Sequence, residues 1–345
     1  MTDSQVAVVI LNFNGRHFLE RFLPAIVQHS LPHRIYIADN GSTDDSIAWV
    51  EKNFSQVTVI ANGFNYGYAR GYNEALTMIT AKYYVLLNSD VEVTANWIEP
   101  LKSLMDADSR ISACQPKILD YNHREKFEYA GAAGGFIDRL GYPFCRGRVF
   151  NSLENDGGQY NGASEVFWAT GACMFVRSDV FHAVGDFDND YFAHMEEIDL
   201  CWRMKNLGYK IYAQNDSVIY HVGGGTLNKY SPRKTFLNFR NNLTTLTRNH
   251  PPRSLLLKIL ARLVLDGVAG LKFLFDGQPA HCLAVIRAHW AYYAWIPRIL
   301  KQRKTLRNKP GFRYSMHGVY RGNIVSEYFL HGKKRFTDLK NGFFS

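Results

Sequence analysis

The chain opens on short apolar runs set between helical stretches and polar turns. Residues 6–11 form a β-branched run closed by Asn12-Phe-Asn-Gly15, the pattern of a strand buried on both faces. Residues 17–28 repeat apolar side chains at helical spacing (Phe18, Phe22, Ala25, Ile26) and close near Pro32. Residues 34–38 predict a second strand that leads into Asp39-Asn-Gly-Ser-Thr-Asp44, where Ser42, Thr43 and Asp44 are each suited to cap the helix that follows through Phe54. A third strand is expected over 57–60, a helix over 69–80, and a fourth strand over 83–87, running into Asn88-Ser-Asp90. Strands joined by helices imply an α/β fold with a mostly parallel sheet, whose ligands sit beyond the strands' C-terminal ends. The polar clusters at 12–15, 39–44 and 88–90 each follow a strand.

The pattern loosens over 110–165, where glycines recur, and this stretch is read as irregular or β-rich. A strand over 172–177, a helix over Glu196–Asn206 and strands over 210–213 and 218–221 follow, ending at Gly223-Gly-Gly225. Residues 255–275 then predict an apolar helix on which Lys258, Arg262 and Asp266 recur every four residues, with Lys272 at nearly the same angle: one polar stripe on an apolar cylinder. Residues 280–300 add Trp290, Tyr292, Tyr293 and Trp295, and a basic run extends from Arg298 to Lys309.

Charge divides the chain. Residues 1–227 carry a net −9 and residues 228–345 a net +18, which together make the overall +9. The division predicts a catalytic domain over 1–227, with halves at about 1–110 and 111–227, and a basic helical extension over 228–345. An acidic body and a basic tail face different partners. The catalytic half is acidic and no nucleic-acid motif is present, so nucleic acid is not an expected partner. The striped helix, the aromatic residues and the basic run match a helix lying on an anionic membrane surface, with a soluble helical cap as the alternative. The five scattered cysteines include no C-x-x-C pair, the amino terminus lacks a basic leader, and no apolar stretch is long enough to span a bilayer. The expected location is cytoplasmic, peripheral on a membrane at most.

Several clusters carry candidate chemistry. Asp39 can accept a hydrogen bond from a pyrimidine N3–H or serve only in a turn and cap. Asp90, emerging at a strand end, can hold a divalent cation that bridges two phosphates. Asn65, Gly67, Arg70 and Gly71 open a helix, and a helix start with an arginine favours phosphate. Glu196, Glu197 and Asp199 crowd three acids into four positions, which raises a pKa and suits a general base, although capping accounts for one or two of them. His221 is a metal candidate only if it reaches Asp90. No Walker A loop or G-x-G-x-x-G turn is present.

In order along the chain, the motifs are Val8-Val-Ile-Leu-Asn12-Phe-Asn-Gly15, Asp39–Asp44, Asn65-x-Gly67-x-Ala69-x-Gly71-x-Asn73 and Leu86-Leu-Asn88-Ser-Asp90. They continue with Ala169-Thr-Gly171, Gly185-x-Phe187-Asp188, Glu196-Glu197-x-Asp199, Gly208-Tyr209 and Tyr220-His221. Together, over about residues 5–245, they resemble a family 2 glycosyltransferase of the GT-A (Rossmann-like) fold, closest to the bacterial rhamnosyltransferase-like group that builds surface polysaccharides. The resemblance implies inverting transfer from a nucleotide sugar, such as dTDP-rhamnose or a UDP-sugar, to a saccharide or lipid-linked saccharide acceptor, with Mg2+ or Mn2+. It places the nucleotide near Asn12, Asn14, Gly15, Asp39 and Asn40, the metal on Asp90 and His221, and the base on Glu197. Thr170 and Gly171 would line the sugar. Two departures stand out: Asn88 replaces the first acid of D-x-D, and Glu197 stands where aspartate is commoner, leaving Glu196 and Asp199 as rival bases. A non-catalytic sugar-nucleotide-binding or scaffold subunit is the competing class.

Overall fold

A computed structural model describes residues 5–223 and 231–344. The first four residues and residues 224–230, including Gly224 and Gly225 of the glycine run, lie outside the described residues. The opening half alternates as its hydrophobic pattern requires: β1 (Val6–Asn12), α1 (Arg16–Ser30), β2 (Arg34–Asp39), α2 (Ser46–Asn53), β3 (Val57–Ala61), α3 (Gly67–Leu76) and β4 (Tyr83–Asn88). These four strands pair in parallel in the order β4-β1-β2-β3. Val8, Ile10, Val85 and Leu87 fill one face, against α1, while Val9 and Leu86 fill the other. Burial on both faces is why these strands read as continuous apolar runs.

The second half extends that sheet with β5 (Val91–Val93), α4 (Glu99–Ala107) and β6 (Ile111–Asp120). Residues 110–165, expected to be irregular or β-rich, supply β6 and a small separate sheet. The small sheet contains β7 (Gly135–Asp138), β8 (Pro143–Cys145), β9 (Arg148–Val149) and β10 (Ser152–Leu153). Next come β11 (Ala163–Val166), β12 (Cys173–Arg177), α5 (Ser178–Val184), α6 (Glu196–Asn206) and β13 (Lys210–His221). β12 inserts antiparallel between β4 and β6, and β13 joins β6 in parallel.

Three local expectations are revised. The two strands expected over 210–221 are one, because an irregularity between Gln214 and Val218 restores the register with β6. The helix expected over 69–80 starts at Gly67 and ends at Leu76, its first turn set by the Asn65 side chain, which accepts from the Gly67 N–H at 3.0 Å. Ser42 and Thr43 do not cap α2. The Ser42 hydroxyl donates to Asp39 at 2.5 Å, and Asp44 alone of the three reaches the helix, accepting from the Ser46 N–H at 3.2 Å.

The basic segment contains α7 (Pro232–Asn249), α8 (Leu255–Phe275), α9 (Pro279–Arg307), β14 (Val319–Tyr320) and α10 (Ile324–Phe329). It is not an appendage. β14 completes the small sheet beside β7, and Leu243, Leu246, Tyr292 and Tyr320 share one hydrophobic core with β4, β6 and α6. The boundary expected at 227/228 therefore does not part the core. The two halves are latched by ions. Arg248 on α7 reaches Asp199 on α6 at 2.8 Å and also pairs with Asp188, while Arg203 holds the same Asp199 oxygen at 2.8 Å and Asn249 donates to the other at 2.8 Å. Arg298 on α9 pairs with Asp188 and, at 2.8 Å, with Asp190. Burial alone would raise the Asp188 pKa, but the two arginines outweigh it and hold the carboxyl down at about 2.

Removing one partner of a buried ion pair strands the other, so Arg248→Met should cost about 3 kcal/mol of stability in urea unfolding. An unchanged midpoint would show that the latch bears no load. Because the folded Asp188 pKa lies below its unfolded value of about 3.9, its contribution is complete above that value and disappears as the pH falls toward 2. The wild-type advantage over Arg248→Met should shrink across that window.

Candidate active site

A cavity of about 390 Å³ opens at the C-terminal ends of β1 and β4, lined on one side by Asn12, Asn40, Asn88 and Asp90, and on the other by Thr170, Gly171, Glu196, Glu197 and His221. Sheet pairing explains how residues 131 positions apart meet. His221 ends β13 opposite Val91 of β5, so its ring lies beside Asp90, with Nε2 3.1 Å from the Asp90 carboxylate. Asn88 Nδ2 lies 3.4 Å from the same nitrogen.

Behind the ring, Glu128 places a carboxylate oxygen 3.4 Å from His221 Nδ1. Sequence reasoning missed Glu128. It sits in a loosely patterned stretch, and its position follows from the backbone N–H of Glu128 bonding to Ile118 O at 3.0 Å, which no local motif announces. Burial pulls the His221 pKa down, but Asp90 and Glu128 together raise it well above the ordinary histidine value. Among the described residues no cluster of three His, Cys, Asp or Glu has metal-holding geometry. The donor chemistry nevertheless fits a hard cation that takes most of its oxygens elsewhere. Asp90 and His221 Nε2 stand about as far apart as neighbouring ligands of an octahedral ion, about 3 Å, and Glu128 backs the ring as carboxylates back metal-bound histidines.

The acids are sorted by their partners. Asp199 is fully buried and turned away from the cavity into the arginine latch, so it is not brought to the reacting space. Glu196 and Glu197 do line the cavity, and each has a buried carboxylate oxygen with no hydrogen-bond partner. Burial, together with repulsion from Glu197 and Asp199, raises the Glu196 pKa well above the carboxylate range. Burial also lifts Glu197 to about 7, opposed by backbone N–H groups at the start of α6.

The backbone leading into this helix is strained: Phe192, His194 and Met195 all have left-handed φ, at 64°, 69° and 74°. α7 holds it there. The Asn241 side-chain amide donates to the carbonyls of Tyr191 (3.1 Å), Ala193 (3.0 Å) and His194 (2.8 Å), and the Tyr68 N–H donates to Phe192 O at 2.6 Å. Arg233 and Lys234, at the start of α7, line the same cavity, and Arg233 packs over the Phe192 ring. Asn241, Arg233 and Lys234 were also missed; the charge count marked their segment as separate from the site.

The other expected contacts are distributed unevenly. Asn12 Nδ2 donates to Asp39 at 3.0 Å, and Asp39 also accepts from the Gly41 and Ser42 N–H groups, so its carboxylate organises the loop from just behind the cavity wall. Asn14 holds that loop from outside, accepting from the Thr43 N–H at 2.7 Å, and Gly15 precedes α1. Asn40 lines the cavity and donates to Gly67 O at 2.8 Å. Asn65 and Gly67 also line it, but Arg70 does not: it pairs with Glu74 at 2.9 Å and packs over Tyr66. Gly67 and Gly71 were expected to let backbone approach a ligand. A Cβ at Gly67 would instead strike Phe192, and one at Gly71 would strike the Asn40 side chain, so both serve internal packing. Thr170 is placed by Gln115, which accepts its N–H at 3.0 Å, and Gly171 by the Tyr68 hydroxyl at 2.7 Å.

Residues 7–185 match the family described as glycosyl transferase family 2. Over 246 residues the chain is 27% identical to the N-acetylglucosaminyl-diphospho-decaprenol L-rhamnosyltransferase of Mycobacterium tuberculosis, covering 66% of this chain and 78% of that one. Over 269 residues it is 24% identical to the dTDP-rhamnosyl transferase RfbF of Shigella flexneri, covering 72% and 82%. Its fold is similar to that of S. aureus TarS 1-349, with a TM-score of 0.53 at 13% identity over 90% of this chain and 97% of that one. It is also similar to GalNAc-T7 solved with UDP, GalNAc and Mn2+, with a TM-score of 0.56 at 16% identity over 72% and 48%. These neighbours are GT-A glycosyltransferases, and the expected fold is the observed one.

The raised acid pKa values have a thermodynamic consequence. The folded chain binds more protons than the unfolded chain between about pH 4.3 and 7, so this contribution is complete below about 4.3 and is lost as the pH rises through about 7. Glu197→Gln cannot ionise. Without donor, its melting temperature should exceed wild type by at least about 2 °C at pH 8 and match it at pH 4. Equal melting at both values would show that Glu197 is not desolvated.

Proposed function

The chain belongs to glycosyl transferase family 2, and from that premise we propose that it is an inverting transferase moving a sugar from a nucleotide diphosphate sugar to a lipid-linked saccharide acceptor in cell-surface polysaccharide synthesis. The observation that carries the reading is the meeting, in one cavity, of the Asp90–His221 pair with two carboxylates that each keep one buried oxygen without a hydrogen-bond partner. The first suits a diphosphate and its cation, the second a hydroxyl that must lose a proton.

Glu197 is the base. Its pKa near 7 matches the pH at which a carboxylate must be ionised half the time and still hold a proton usefully. It takes the proton of the acceptor hydroxyl, that oxygen bonds to the anomeric carbon from the face opposite the leaving group, and the bond from carbon to phosphate oxygen breaks. The nucleoside diphosphate departs with the electron pair and the proton stays on Glu197. Burial and the neighbouring Glu197 also raise the Glu196 pKa, so a second negative charge beside an ionised Glu197 is disfavoured. Asp90 and His221 would hold Mg2+ or Mn2+, which supplies charge neutralisation to the diphosphate. Arg233 and Lys234 line the same cavity and add positive charge facing the phosphates. Asn12, Asn40, Asn65 and Thr170 order the pocket in which the donor lies.

Rhamnose from dTDP is the favoured donor because two relatives are named as rhamnosyltransferases, one of them for dTDP, and the decaprenol relative's name supports the lipid-linked acceptor. Cytoplasmic placement is supported by the five cysteines, all unpaired and four of them buried.

A thermal-shift screen of dTDP-, UDP- and GDP-sugars with Mn2+ and with EDTA tests the donor. Asp90→Ala should lose the metal-dependent shift. Glu197→Gln should keep it while transfer falls about 10²- to 10⁴-fold. Undiminished transfer by Glu197→Gln would remove Glu197 as base, and a metal-insensitive shift would remove the cation from Asp90 and His221.

A further inference from the structure

The helix α8 is inside out. Its charged stripe faces the protein: Arg262 and Asp266 are 2% and 1% exposed, while Val264 and Phe275 are 67% and 86% exposed. Within the core, Arg262 donates to Leu140 O at 2.9 Å and pairs with Asp266 at 3.4 Å, and Asp266 also meets the Tyr142 hydroxyl and His289, each at 3.3 Å. Leu256, Leu260, Val264, Val268, Leu271 and Phe275 recur three to four residues apart down the outer side, all exposed. In water a helix normally presents the opposite arrangement, and an apolar stripe of this extent marks a contact surface. The neighbouring α9 adds Ile286, Trp290 and Tyr293, also exposed.

We infer that the outer face of α8, with the adjoining face of α9, is a lipid-insertion surface that seats the chain on the headgroup–acyl boundary of an anionic bilayer. Charge selects lipid over a second copy. The segment carrying the face is strongly basic, with Lys272, Arg287, Lys301 and Lys304 exposed along the hairpin. Its exposed acid, Asp276, is paired with Lys272. Two such faces repel one another, whereas an anionic membrane attracts each. Beside α8 lies a groove of about 500 Å³, walled by Leu257, Ala261, Val264 and Leu265, with Arg139 and Lys258 in its lining. An apolar trough with cations suits a phosphate headgroup above an acyl chain. Trp290 and Tyr293 are side chains that favour that boundary. Among the described residues no helix is long and apolar enough to cross a membrane, so the face lies on the bilayer.

The location of the surface changes. The basic run 298–309, expected to meet lipid, is partly spent on the protein itself: Arg298 holds Asp188, Arg303 donates to Thr247 O at 2.6 Å and Lys309 to Ala183 O at 2.7 Å. Insertion depends on the apolar face of α8, with exposed lysines assisting.

The inference extends the reading of a lipid-linked acceptor, but its test reads binding and not turnover. Full-length protein is sedimented with vesicles of phosphatidylcholine alone and with added phosphatidylglycerol. Wild type should pellet with the anionic vesicles. The double variant V264E/L271E should partition at least about tenfold less while melting as wild type does, and M78E, an exposed apolar residue elsewhere, should pellet as wild type does. Wild type remaining in the supernatant, equal pelleting of the double variant, or no preference for anionic vesicles would overturn it. So would a wild-type dimer in sedimentation equilibrium that V264E/L271E converts to monomer. Donor thermal shift is read in parallel: its loss with vesicle binding intact sinks the transferase reading alone, and the reverse result sinks lipid insertion alone.

Discussion

Arg248 bonds two acids at once: Asp188, in the turn before the active-site loop, and Asp199, one turn into the helix that carries Glu196 and Glu197. The energetics of the site follow from which acids that latch reaches. Asp199 receives two arginines and an asparagine in the core. Glu196 and Glu197, at the helix start on the cavity side, receive none, and desolvation raises their pKa values. A spacing of two residues thus separates a structural carboxylate from a reactive one. The difference is the supply of buried cations from α7 and α6, not the intrinsic character of the acids.

The cavity holds two opposite electrostatic solutions. Around His221, two carboxylates stabilise positive charge and would do the same for a cation that takes its place at Asp90. Around Glu196 and Glu197, burial without a side-chain cation disfavours negative charge. A phosphate-side cation and a hydroxyl-side base need these opposite settings, and the sheet delivers them on different strands and helices of one pocket. The strained loop from Phe192 to Met195 links them. Its left-handed residues turn the chain sharply enough to start α6 at the cavity wall, and Asn241 holds two of its carbonyls and that of the preceding Tyr191 so that the strain persists.

Legibility in the sequence tracked the range over which each feature is determined. The strands of the parallel half were readable because burial on both faces writes itself into consecutive residues, and α8 was readable to its ends for the same local reason. Asp90, Glu197 and His221 were readable through their motifs, and their convergence was an expectation of the family resemblance, not of spacing. Glu128, Asn241, Arg233 and Lys234 were not, because each reaches the site through pairing with a segment remote in sequence. Charge counting actively misled at one point. It set residues 228–345 apart, yet Arg248 and Arg298 from that segment are the counter-ions of Asp188 and Asp199 in the acidic half.

The stripe on α8 shows how pattern alone leaves direction open. Lys258, Arg262 and Asp266 at four-residue spacing define a face, and ordinary expectation turns such a face to water. Here Tyr142, Asn242 and His289 offer enough polar partners to take the stripe inward, and the leucines and valines are left outside as a consequence. A buried charged network is a weak source of stability compared with apolar packing of equal volume. Its retention on this helix makes physical sense only if the outward apolar face has a use, since turning α8 over would bury that face and solvate the charges. The same segment that clamps the acid loop through Asn241 also carries this hairpin, so hydrogen bonds among α7, α8 and α9 connect the reacting cavity to the apolar face.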